Sequence, residues 1–155
     1  MEAHMRSTAN IGGHPIHPML IPLPIGLLIA AFVCDLAYWG TSNAFWANAA
    51  FWALIGGVVT ALLAALFGFA DFFGDRAIRQ MNDAWHHMIG NLIAVVLAII
   101  SLYLRYRGGI ETAVFPWGIT TSFLVVLILA FTGWKGGELV FRRGAGVIDV
   151  PPRIG

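Results

Sequence analysis

The sequence predicts an all-α integral membrane protein, a bundle of four transmembrane helices. Two observations lead there. Apolar residues make up 59% of the 155-residue chain and charged residues only 11%, and the mean hydropathy of +0.79 lies far from the balance of a water-soluble domain. The apolar residues also gather into four runs, 19–38, 45–69, 88–103 and 115–140, each near the roughly 20 residues that cross about 30 Å of hydrocarbon. The chain therefore divides into an N-terminal segment 1–17, a four-helix domain 18–141 and a tail 142–155.

The first helix opens with "GGHPIHPMLIPLPIG", residues 12–26. A residue before proline is pushed out of the α region, so His14 and His17 are expected in extended or turn conformations. Pro18 suits a first helical turn, whereas Pro22 and Pro24 remove amide donors further in and should bend or break the helix. Freed carbonyls in lipid need a partner, so this opening should pack against other helix ends. The polar stretch before it lacks the basic-then-apolar layout of a cleaved leader. The single cysteine, Cys34, falls inside the first run and reads as a small buried hydrophobe.

The second and third helices flank "GDRAIRQMNDAW", the third opens at "HHMIGN", and the fourth run is interrupted near Lys135 by "GWKGGE". Of the nine basic residues, Arg6, Arg76, Arg79, Lys135, Arg142, Arg143 and Arg153 share the side of the termini and the middle loop, against Arg105 and Arg107 opposite. Positive charge is retained in the cytoplasm, so both termini are expected inside. No basic cluster is dense enough for nucleic acid.

In that frame His14, His17, Asp71, Asp75, His86, His87 and Glu138 fall at one membrane face. Asp71, Asp75 and Glu138 come at negative helix ends, so a cation is expected beside them, whether Arg76, Lys135 or a metal. Taken singly, Asp75, Asp83 and His4 read as solvated interfacial residues.

The two halves carry matched landmarks. His17 precedes Asp35, and His87 precedes Arg105, by the same 18 residues; Trp52 precedes Gly68, and Trp117 precedes Gly133, by the same 16. Related hairpins would set His17 opposite His87, preferring His87 to His86, and would bring Asp35 to Arg105 as a mutually compensating buried pair.

The opening motif, "HHMIGN" and the closing "GWKGGELVFRRGAGV" together resemble the bacterial four-helix membrane family called domain of unknown function 2231, from Gly12 to Val147. The resemblance rests on His14-Pro15, His17-Pro18 and the run Gly136-Gly137-Glu138-Leu139-Val140. It implies a small inner-membrane protein, in some members fused to Rieske or cytochrome c type modules, and hence electron transfer near the membrane.

Three functions follow. A b-type haem would sit between His17 and His87, with Gly136 and Gly137 lining its slot. A single zinc or iron ion would use His14, His17, His87, Asp71 and Glu138. Alternatively the protein is a structural or interaction subunit with no cofactor, its histidines and glycines only capping and packing helices. Partners under these readings are the lipid bilayer, a redox protein or other membrane subunit, and a second copy of the chain. No triad, phosphate-cradling loop or CxxC pair supports enzyme chemistry.

Overall fold

A computed structural model describes residues 7–146. Four helical segments in it are long and apolar enough to cross a membrane: Ile16–Thr41, Ala44–Gly74, Asn82–Gly108 and Val114–Arg142. Each extends past its apolar run because the flanking turns are helical too.

The chain enters through a two-residue hairpin, β1 (Asn10–Ile11) and β2 (His14–Pro15). Gly12 and Gly13 both take positive φ, +57° and +84°, the conformation a tight two-residue turn requires. Helix α1 (Ile16–Leu20) and helix α2 (Pro22–Thr41) then run almost continuously, since Ile21 between them keeps helical angles, φ −53° and ψ −37°. The expected break is thus confined to local loss of donors. Pro22 and Pro24 fall in the first turn of α2, where no intrahelical donor is needed. His17 also departs from expectation. It is helical, because Pro18 stands within the first turn of α1, where a missing amide is tolerated.

Helix α3 (Ala44–Gly74) starts at Asn43, whose side chain accepts from the Phe45 amide at 3.0 Å. Asp75 ends α3 in an extended conformation and caps the short α4 (Arg76–Arg79), accepting from the Ala77 amide at 2.8 Å. Helix α5 (Asn82–Gly108) forms the third span. In the fourth, Phe115 is extended, so regular α6 (Ile119–Gly137) begins after it. The "GWKGGE" stretch does not interrupt that span, which continues through Glu138–Arg142 as a wider π-type turn.

Consecutive spans pack as two hairpins, α2 with α3 and α5 with α6, and the hairpins meet through α2 with α6 and α3 with α5. Spans one and three therefore face each other diagonally. All four helices contribute to a central core of Leu28, Ala31, Leu54, Val58, Ala94, Ala98, Val125 and Leu129. Ala31, Ala94 and Ala98 keep spans one and three slim there, which suits a bilayer, where lipid supplies no hydrophobic drive and close backbone approach must hold helices together. A smaller cluster of Phe72, Ala84 and Leu139 seals the end that carries the termini.

The opposite end is held by charge, as the matched spacing predicts. Arg105 Nη2 lies 2.7 Å from both carboxylate oxygens of Asp35, and both side chains are fully buried. Ser122 Oγ of α6 donates to Asp35 Oδ2 at 2.8 Å. Gly118 makes room for the guanidinium: a Cβ there would stand 2.7 Å from Arg105 Nη2. Asp35→Leu alone should destabilise the bundle by about 3–5 kcal/mol, because an uncompensated charge remains, whereas Asp35→Leu with Arg105→Met should recover most of that loss. Denaturant-dependent unfolding in mixed micelles measures both. A double variant as unstable as the single one would contradict the pairing.

Candidate functional site

The histidines open the first and third spans on the terminal side of the bundle. His17 Nδ1 lies 2.8 Å from the Ala64 carbonyl of α3, and His87 Nδ1 lies 2.8 Å from the Thr132 carbonyl of α6. A carbonyl only accepts, so each Nδ1 is the donor, and in a neutral ring Nε2 is then the nitrogen with a lone pair. The two rings stand 6.1 Å apart between centroids, at 89° to each other.

A glycine one turn beyond each carbonyl admits the ring. A Cβ on Gly68 would lie 2.9 Å from His17 Cε1 and 3.0 Å from its Nδ1; on Gly136 it would lie 3.0 Å and 3.1 Å from the same atoms of His87. The arrangement is duplicated: carbonyl, then glycine four residues on, with an imidazole from the partner helix laid against both. This corrects one landmark of the repeat, because the counterpart of Gly68 is Gly136. A Cβ on Gly133 would meet nothing within 4 Å. Gly137 likewise stands away from the rings, its nearest neighbour being Phe141. On the His87 side, Asn91 Nδ2 donates to the His87 carbonyl at 2.7 Å and Thr132 Oγ1 donates to Asn91 Oδ1 at 3.3 Å. Neither Ala64 nor Asn91 stood out in the sequence. The shared four-residue step from Ala64 to Gly68 and from Thr132 to Gly136 is the signal that would have found them.

The other expected ligands do not join this pair. His14 is exposed on the hairpin, its Nδ1 3.2 Å from the Gly12 carbonyl. His86 is exposed and lies near Phe131, 6.5 Å between centroids, so His87 is the inward member of the adjacent pair. Asp71 is taken up by the N-terminal segment, accepting from Ser7 Oγ at 2.8 Å, Thr8 Oγ1 at 3.2 Å and the Ala9 amide at 2.9 Å. Glu138 accepts from Trp134 Nε1 at 3.2 Å and pairs with Arg142 at 3.3 Å. Lys135 pairs with Asp83 at 2.8 Å, and Arg143 joins it at 3.6 Å, so Asp83 is a salt-bridge residue and not merely solvated. The expected cation beside a carboxylate is thus found for Glu138, whereas neutral donors serve Asp71 and Asp75. Among the described residues no group of three or more His, Cys, Asp or Glu side chains is placed to hold a metal ion. The five-residue ligand set is not assembled, because helix direction points its members to different neighbours.

The family model described as "Predicted membrane protein (DUF2231)" matches residues 13–149. The chain belongs to that family. The match takes in both histidines, both glycines and the buried ion pair of this DUF2231 protein. No curated protein matches the chain, and no solved structure does.

Alanine at Gly68 or Gly136 should destabilise the DUF2231 bundle by roughly 1–3 kcal/mol through overpacking against the imidazole. Helix propensity alone favours alanine by about 1 kcal/mol, so Gly26→Ala and Gly133→Ala, where a Cβ meets nothing within 4 Å, should be neutral or stabilising. Thermal unfolding in detergent compares the four variants. Equal behaviour would remove the contact between glycine and ring from the account.

Proposed function

We propose that this protein is a membrane electron-transfer module that holds a b-type haem between His17 and His87. The observation that carries the reading is the pair of imidazoles meeting across the bundle diagonal, 6.1 Å apart, each fixed by a carbonyl at Nδ1. Two metal–nitrogen bonds of about 2 Å and two ring half-widths of about 1 Å sum to roughly the same separation. The donor set also separates the two cofactor readings. A lone zinc or iron ion needs three or four protein ligands, and among the described residues no such group exists. A haem brings its own four equatorial nitrogens and asks the protein only for axial ligands.

The residues present suit such a group. Ala64 and Thr132 fix the tautomer that frees Nε2 and orient each ring, the role that outer-shell acceptors play for ligating histidines. Gly68 and Gly136 keep the flanking helix surfaces low beside the rings. When bound, the haem iron would take up and release one electron. The chain's part is to hold both imidazoles, with Phe72, Ala84 and Leu139 packed at that end to keep water from the site. A redox protein docking at the terminal side would be the partner.

A second observation bears on location. Seven of the nine basic residues lie on the side of the termini, which supports a bacterial inner-membrane protein with both termini cytoplasmic. Reporter fusions at Gly155 should be active in the cytoplasm; periplasmic activity would reverse the orientation.

The haem test is a visible spectrum of the detergent-purified protein, oxidised and reduced, from cells supplied with iron and a haem precursor. A Soret band is expected, lost in His17→Ala and in His87→Ala and retained in His14→Ala and His86→Ala. A colourless folded protein would overturn the proposal and leave the histidines as ties between helices.

A further inference from the structure

Between the second and third spans, Arg76, Arg79 and Gln80 border a shallow, wide-open depression on the surface. Arg79 Nε is shielded from solvent and has no hydrogen-bond partner, an arrangement that is unfavourable unless an acceptor arrives. The carboxylates of the same region are committed elsewhere. Asp75 caps α4, Asp71 holds the N-terminal segment, and Asp83 pairs with Lys135 and Arg143. Among the described residues no carboxylate forms an ion pair with Arg76 or Arg79. Among the described residues, then, nothing neutralises the two guanidinium groups that border this depression.

Its level relative to the membrane is marked by the exposed Trp85 at the start of α5, since tryptophan settles at the headgroup layer. Trp85 Nε1 donates to the Arg79 carbonyl at 2.9 Å, which fastens this aromatic to the arginine itself. Guanidinium groups match phosphate oxygens with paired, charge-assisted hydrogen bonds.

We propose that Arg76, Arg79 and Gln80 form a binding site for the phosphate of an anionic phospholipid headgroup. The lipid, and not free phosphate, is favoured because the depression sits in the turn between two membrane spans, with the interfacial Trp85 bonded to the Arg79 carbonyl beside it. This assignment is independent of the histidine pair.

The test uses the full chain in nanodiscs of phosphatidylcholine with increasing phosphatidylglycerol, and native mass spectrometry to count lipids that stay bound on release. Wild type should retain phosphatidylglycerol preferentially, and Arg76→Gln with Arg79→Gln should weaken retention roughly tenfold or more, at the usual contribution of basic residues near an anionic surface. Arg79→Lys keeps the charge but loses the Nε donor and should fall between them. Arg107→Gln, at the opposite end, should match wild type. Equal retention by a folded double variant would overturn the proposal, as would equal retention of phosphatidylcholine by wild type. Displacement of the lipid by millimolar inorganic phosphate would overturn it in favour of a free-phosphate site. Should the double variant fail to fold, Arg79→Lys decides, and retention equal to wild type overturns the site.

Discussion

A bilayer interior offers no hydrogen-bond partners, so every polar group placed within it must be answered by another part of the protein. This bundle meets most of that demand in two layers. At one end Arg105 Nη2 and Ser122 answer Asp35, while Arg105 Nε and Nη1 stay buried without a partner, and at the other two imidazoles are answered by two carbonyls. Between the layers the core is apolar and rich in alanine. Thr60 and Thr121 follow the same rule, bonding back to carbonyls one turn earlier, whereas the Ser101 hydroxyl is buried without a partner.

The two layers join different elements. Each histidine bond lies within a hairpin, tying span one to span two or span three to span four. The ion pair lies between hairpins, linking spans one and three along the diagonal. At the histidine end the rings of His17 and His87 approach each other across the same diagonal, 6.1 Å between centroids. The pair of hairpins is thus locked by charge at one end and carries two imidazoles at the other, the asymmetry on which a ligand-binding reading rests.

Much of this was legible from particular residues. Composition specified the membrane class, because only helices can satisfy their own backbone in lipid. The equal spacing of His17 to Asp35 and of His87 to Arg105 anticipated both diagonal contacts, since 18 residues return a helix to the same face. The second helix of each half was read less well. Trp117 aligned Gly133 with Gly68, although Phe115 is extended and α6 begins only at Ile119. A register measured from that tryptophan selected a glycine on the wrong face. Asp71 and Glu138 looked like ligands because sequence shows that they share a membrane face but not which neighbour each side chain meets.

The sequence alone determined the number of spans and their helical character, since hydrophobic length and helical periodicity are properties of one segment at a time; it suggested the pairing of Asp35 with Arg105 only through the matched spacing of the two halves. Only the tertiary structure decided which backbone carbonyls orient His17 and His87, which glycines admit their rings, and which acidic residues stay outside the site. Those choices depend on the rotation of each helix about its axis and its register against a neighbour, and packing between helices sets both.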